Sequence, residues 1–214
     1  MTVDGRRLVG RYGLERQADG TWSVRKLDAT PAPTPAPLPM LATAGVLPGP
    51  DEDHRWGYEF KWDGVRAVAA VRAGSLVLTS RKGTAITVRY PEVGRLPAAL
   101  DGHDAVVDGE IVLMDADGRP DFGALQNRMH RTGPEVPRMA AARPVSYLVF
   151  DLLAWDGEDL TGRPYAERRA RLDALGLAGH RWVATPWFSG GGEGVLAASE
   201  ENGLEGVVAK RLDS

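Results

Sequence analysis

The 214-residue chain contains no cysteine. That excludes disulfides, thiolate nucleophiles and cysteine-bound zinc, and it leaves the compartment open. Histidine is scarce, and His54, His103, His130 and His180 stand alone, without the spacing of metal ligands. No apolar run approaches the roughly 20 residues of a membrane span. The N-terminus, MTVDGRRLVG, lacks the apolar core of a signal peptide. A cytoplasmic location with no membrane partner is therefore expected. Nor does charge of one sign dominate: 26 Lys and Arg oppose 29 Asp and Glu, a net of −3. This gives no global attraction to nucleic acid, although a local basic face can hide in the sum. Arg128 with Arg131, and Arg163 with Arg168, Arg169 and Arg171, are two arginine clusters. A solvated helix face is expected for the second.

What is present is ordinary for a globular chain, 43% apolar and 26% charged, and long enough for one good-sized core with appendages. Residues 30–39 read TPAPTPAPLP, an extended, semi-rigid spacer. Residues 1–28 before it read as a hairpin, with strands at 8–16 and 21–27 around an Ala-Asp-Gly turn. The linker is set at 29–39 and the main domain at 40–214. In the main domain Trp56, Tyr58 and Phe60 alternate with polar residues, as in a half-buried strand. Residues 65–72 and 75–80 flank an Ala-Gly turn, a second hairpin. Further strands are expected at 105–114, 145–153 and 204–210, and helices at 91–100, 122–129, 164–175 and 194–202. Pro164 suits a first helical turn, and Gly176 and Gly203 suit helix ends. The class is α+β, with mixed or antiparallel sheets and flanking helices.

Three clusters of charge sit on these strands. In EFKWDGVR, Glu59 and Lys61 are two residues apart, so they share a strand face, away from Trp56, Tyr58 and Phe60. Asp63-Gly64 then turns the chain, and Arg66 starts the next strand. In VVDGEIVLM, Asp108 and Glu110 share a face; in EGVVAK, Glu205 and Lys210 bracket an apolar run. Each pair alone reads as a polar strand face or a surface ion pair of little worth. All three in one domain suggest a site. A lysine attacks only when neutral. Carboxylates around it can hold a divalent metal, which neutralises phosphate oxygens, and arginine grips phosphate with a planar fork. Together they fit attack by Lys61 on a nucleotide's α-phosphorus.

KWDGVR resembles the KxDGxR signature of ATP-dependent DNA ligases. DGE at 108–110, YLVFDLL at 147–153 and EGVVAK at 205–210 resemble that family's later motifs, in order. The surrounding wording, PMLATAG, FGALQNRMH and EGVVAKRLDS, is most similar to the ligase domain of the bacterial end-joining ligase D group. The resemblance implies a nucleotidyltransferase fold, ATP-grasp-like, and an enzyme that uses ATP with Mg²⁺ or Mn²⁺. Lys61 would carry AMP as a phosphoramidate, pass it to the 5′-phosphate of a DNA nick, and let the 3′-hydroxyl seal the break. It further implies that Glu59 recognises the adenine amino group, that Arg66 contacts ribose or phosphate, and that Arg81 in SRKG binds phosphate. Glu110 would contact the ribose or the metal, Phe150 would stack on adenine with Val207 or Val208 opposite, Glu205 would bind metal and Lys210 the α-phosphate. Read alone, Phe150 is equally a core residue and Arg81 a loop arginine. Implied partners are nicked or broken duplex DNA, in the nucleoid, and Ku with the other end-joining domains.

The N-terminal hairpin resembles the end of the phosphoesterase domain of the same group. The family's next motif, a lysine pair near a tryptophan, and its OB-fold domain are expected beyond Ser214, so the adenylation domain is read as incomplete. Weak or absent self-adenylation, and no nick sealing, are expected of residues 1–214 alone. An RNA ligase, a capping-type guanylyltransferase or an inactive nucleotide-binding relic are the alternatives.

Overall fold

The computed structural model describes residues 2–4, 9–16, 20–26 and 37–214. By its contacts the chain divides into two units, Met1–Thr34 and Pro35–Ser214. The first holds β1 (Thr2–Asp4), β2 (Val9–Arg16) and β3 (Trp22–Lys26), antiparallel in that order. The expected hairpin thus gains a third strand, which a two-stranded sheet needs to be more than marginal in water. The turn residues 17–19 and residues 29–36 of the linker expected at 29–39 lie outside the described residues.

The second unit contains β4 (Trp56–Phe60), β5 (Val65–Arg72), β6 (Ser75–Ser80), β7 (Ala105–Val112), α1 (Phe122–Met129), α2 (Val136–Ala142) and β8 (Ser146–Trp155). There follow β9 (Glu158–Asp159), α3 (Tyr165–Ala174), β10 (Trp182–Ala184), β11 (Phe188–Ser189), α4 (Gly192–Glu201) and β12 (Val207–Arg211). A large sheet runs β10-β8-β7-β5-β6, with β9 on β8; only β10 is parallel to its neighbour. A small antiparallel sheet runs β11-β4-β12. This is the mixed α+β architecture expected. Among the described residues no helix is long and apolar enough to cross a membrane.

The two faces of the large sheet differ. Ala67, Ala69 and Val71 of β5, Val107 and Ile111 of β7, and Tyr147 and Val149 of β8 enter the main core with Leu78, Tyr90, Leu96, Leu125 and Leu172. The alternate positions make a smaller cluster, Val68, Ala70 and Val106. Farther along the same face they become Arg66, Asp108 and Glu110, with Arg66 opposite Glu110 and Val68 opposite Asp108. The polar half of this face is where the strands meet the small sheet. Strand β8 carries two irregularities: its pairing with β7 skips Leu153 and then Phe150. Such a bulge re-aims a side chain, and here it turns Phe150 toward Arg66.

Several elements depart from expectation for local reasons. Residues 91–100 form a 3-10 helix, because Gly94 and Pro97 lie inside it and Pro97 has no N–H for an α-helical ladder. Val93, Leu96 and Leu100 still face the core. Helix α4 starts two residues earlier than expected, since the Asp53 carboxylate accepts from the Gly191 and Gly192 N–H groups (2.6 and 3.1 Å) and caps it from a distant segment. Helix α2 and the short strands β9, β10 and β11 were not foreseen.

The arginine clusters are only half solvated. Arg168 and Arg169 are buried, as is Arg128. Arg168 holds Asp151 with two bonds (2.9 and 3.0 Å), while Arg169 bonds the Phe150 carbonyl oxygen and Asp173. Arg128 pairs with Glu92 and the Arg89 carbonyl. Arg163 and Arg171 stay exposed against Glu158. The solvated face expected of α3 is thus confined to its outer side.

Candidate active site

Strand β4 is the centre of the small sheet, and its pairing with β12 decides which charges meet. Glu59 lies opposite Val208, and Gly57 opposite Lys210. Residues directly opposite share a face, so Glu59, Val208 and Lys210 lie on one side; Val207 is on the other. One residue past β4, the Lys61 N–H donates to the Gly206 carbonyl (2.8 Å), which extends the ladder. Gly206 does this at φ 141, a backbone conformation that a side chain would strain. The Lys61 ammonium is ion-paired with Glu205, and both side chains are about half exposed.

Glu59 does not share that exposed environment, contrary to the expectation of one polar strand face. It is buried, because β4 is covered on both sides: Tyr58 packs against Gly192 of α4, and Tyr165 of α3 lies on the opposite face. The Glu59 carboxylate accepts from the Tyr165 hydroxyl (2.6 Å), pairs with the Lys210 ammonium (2.6 Å) and faces the Arg169 guanidinium (3.8 Å). Lys210 also lies 4.8 Å above the rings of both Phe150 and Tyr165.

The polar face of the large sheet borders this assembly. Arg66 grips Asp108 with both ends of its fork (2.7 and 2.8 Å) and stacks 4.4 Å from the Phe150 ring centre. Phe150 is therefore buried, with cations on its ring. Burial, reinforced by Asp108 and Asp63, pushes the Glu110 carboxyl up to about 8, although Arg66 and Lys61 oppose the shift. Burial, then Glu205, raises Asp63, and Lys61 opposes this too. Glu205 thus pairs with Lys61 directly, while Glu110 and Asp63 feel the lysine's charge electrostatically.

The glycine of KWDG is required by space. A Cβ on Gly64 would overlap the Ile111 carbonyl oxygen and crowd Glu110. Gly109 of DGE is equally confined, by the Leu148 carbonyl and the Tyr147 ring. Arg81 is the outlier among the expected residues. It is exposed in the turn after β6, adjoining the register pair Ser80 and Ala67, and it joins none of the contacts above.

Sequence reasoning missed Tyr165 and Arg169 as parts of the site and gave Asp108, though named in a charge cluster, no role of its own. Asp108 had a signal, its face shared with Glu110. Tyr165 and Arg169 had none, since their helix reads as charged and solvated. Among the described residues, no group of three or more His, Asp or Glu side chains could hold a metal ion by itself. Glu110 and Glu205 can contribute oxygen ligands. Mg²⁺ commonly takes one or two carboxylates, with substrate phosphates and waters completing its shell. The donor set fits a cation of that kind.

Residues 39–214 match the model of the ATP dependent DNA ligase domain. The chain is 35% identical over 218 residues to the multifunctional non-homologous end joining protein LigD of Mycobacterium bovis, covering 100% of this chain and 27% of that protein. It is 37% identical over 191 residues to DNA ligase C of Mycobacterium tuberculosis, covering 82% of this chain and 50% of that one. The solved structure of mycobacterial DNA ligase D complexed with ATP and MES superposes with a TM-score of 0.64 at 36% identity, over 74% of this chain and 49% of that one. The chain therefore spans about a quarter of LigD and half of the ligase C type relative. With a family match over most of its length and the same fold, the chain belongs to the ATP-dependent DNA ligase family.

Proposed function

We propose that residues 40–214 are the adenylation domain of an ATP-dependent DNA ligase acting in break repair, with Lys61 as the nucleophile. The observation that carries this reading is the contrast around Lys61. Its amine is accessible and paired with a carboxylate, Glu205, that is itself exposed, yet the buried Glu59 frame lies two residues back on the same strand and Arg66 and Glu110 lie opposite each other on the polar face of the large sheet. The ammonium must lose its proton before attack. A P–N bond then forms at the α-phosphorus of ATP, and the P–O bond to pyrophosphate breaks. AMP passes to the 5′-phosphate of a nick, and the 3′-hydroxyl displaces it.

Arg66 and Arg81 are the phosphate or ribose contacts in this reading, and Glu110 the ribose contact. Glu110 and Glu205 would hold Mg²⁺ or Mn²⁺ together with nucleotide oxygens. Bound there, the ion neutralises phosphate charge. The base would lie against Phe150 with Val208 opposite and its amino group toward Glu59. For Lys210, reaching the α-phosphate requires leaving Glu59, so we assign its resting position to the base end of the cleft. The substrate is nicked or broken duplex DNA, with Ku and further end-joining domains as partners. Residues 1–28 belong in this reading to the end of a phosphoesterase-like domain, and 29–39 to the linker.

The test is incubation with α-labelled ATP and Mg²⁺ or Mn²⁺, followed by denaturing electrophoresis. A covalent protein–AMP adduct is expected. Lys61→Ala should abolish it without unfolding the protein, because the side chain is half exposed. An undiminished adduct in that variant would overturn the assignment.

A further inference from the structure

Tyr165 touches both partners of the buried ion pair, Glu59 and Lys210. It opens α3, and its backbone N–H donates to the Ser214 carbonyl (2.7 Å). Its ring is fully buried, edge-on to Trp187 at 5.7 Å, and a Cβ on Gly57 would come within 2.9 Å of it. The Trp187 indole is itself tied to Asp173 of α3 (3.0 Å). A side chain packed this way has one position. Its hydroxyl donates to Oε1 of Glu59, while Lys210, seated over the Tyr165 ring, takes Oε2.

An ionised carboxylate has about four acceptor sites. Tyr165 and Lys210 use two, so Glu59 retains capacity toward a ligand. Its orientation depends on the hydroxyl, because the other cation within reach is Arg169, 3.8 Å from Oε1. Without the hydroxyl, the carboxylate can turn to Arg169 and away from the Phe150 side. Resting on the reading of Glu59 as the contact to the base amino group, we propose that Tyr165 is a positioning residue for base selection. It fixes the Glu59 carboxylate so that the acceptor faces the amino edge of a purine lying on Phe150. The rotation is set by a neutral donor, which adds no further cation to those already facing Glu59, Lys210 and Arg169.

The experiment is equilibrium titration of the 214-residue chain with AMP and with purine riboside 5′-monophosphate, which lacks the amino group. Neither carries a pyrophosphate leaving group, so binding is read without chemistry. The wild type should prefer AMP by roughly tenfold or more, as expected for one hydrogen bond to a charged group. In Tyr165→Phe the preference should fall to about two- to threefold, with affinity for purine riboside monophosphate unchanged. A purely structural role would weaken both ligands alike. Glu59→Gln supplies a second background, in which the carboxamide oxygen can still accept from Lys210 and from the Tyr165 hydroxyl but the charged acceptor for the amino group is absent. There the preference should already be narrow, and adding Tyr165→Phe should narrow it no further. If the wild type discriminates and Tyr165→Phe discriminates equally, the positioning role is wrong while the Glu59 reading stands. If the wild type shows no preference for AMP, the Glu59 reading fails and the positioning role fails with it. Further narrowing in the double variant would also overturn the proposal, because the hydroxyl would then act by another route.

Discussion

Two lysine–glutamate pairs lie in the small sheet region, and they behave as opposites. Each motif, EFK and EGVVAK, supplies one lysine and one glutamate, and the antiparallel ladder exchanges partners. Glu59 meets Lys210, and Lys61 meets Glu205. The Lys61 and Glu205 side chains are 44% and 53% exposed, whereas those of Lys210 and Glu59 are 20% and 5% exposed. Exposed pairs contribute about 0–1 kcal/mol, since water and salt screen them. Breaking a buried pair by removing one partner costs about 3–5 kcal/mol, because a charge is stranded. The same chemistry therefore gives a contact that a substrate can displace at Lys61, and a fixed frame at Glu59.

The largest effect should come from breaking the frame. Glu59→Ala strands the Lys210 ammonium and the Tyr165 hydroxyl in a buried setting, while Arg169 keeps Asp173. A loss of about 3–5 kcal/mol is expected. For a chain of this size that lowers the melting temperature by roughly 10 °C. Calorimetry on the variant checks it. A loss below about 1 kcal/mol would mean that the two pairs are energetically alike.

An intermediate effect should appear at Glu110, which lies opposite Arg66 on the polar face of the large sheet and is itself partly sheltered. Its folded pKa, about 8, lies above the ordinary carboxylate value. The native state therefore binds more protons than the unfolded chain between the two values, and stability falls as pH rises through that window. The contribution is fully present below about pH 4.5 and lost as pH passes about 8. Glu110→Gln removes this slope. It should stabilise the protein by about 1–3 kcal/mol at pH 9 and hardly at all at pH 4. Denaturant melts at the two pH values read the difference directly. Equal shifts at both would show that Glu110 has the same pKa in the folded and unfolded chain, and that burial does not raise it.

Much of this was legible in the sequence, and what was not had physical causes. Helix α1 and the β5–β6 hairpin were readable because their signals are local: an Asp121 cap in the first, an Ala73-Gly74 turn with positive φ in the second. Lys61, Arg66, Glu110 and Glu205 could be singled out because charged residues at the ends of apolar strands are conspicuous. Which carboxylate meets which lysine could not be read, since that depends on the register between β4 and β12, strands far apart in the chain in which Glu59 lies opposite Val208. The burial of Glu59, Arg168 and Arg169 was hidden for a different reason. A charged residue signals surface unless its partner is known, and their partners Tyr165, Asp151 and the Phe150 carbonyl come from other elements. The bulge at Phe150 has no sequence signature either, so its turn toward Arg66 needed the strand pairing.

The smallest stability effect should come from Glu205→Gln. The pair it breaks is half exposed on both sides, so each partner remains solvated when the other is gone. A change within about 1 kcal/mol is expected, shrinking further as salt is raised and screening deepens. The wild-type value should converge on the variant's at roughly 1 M salt, where the Debye length is about 3 Å. Yet Glu205 is one of two carboxylates assigned to the cation, so the same substitution should reduce protein–AMP formation far more than it reduces stability. Parallel measurement of melting temperature and adduct yield separates the two roles. A fall in stability as large as that of Glu59→Ala would make Glu205 part of the frame, and Lys61 would then be a fixed residue rather than a releasable nucleophile.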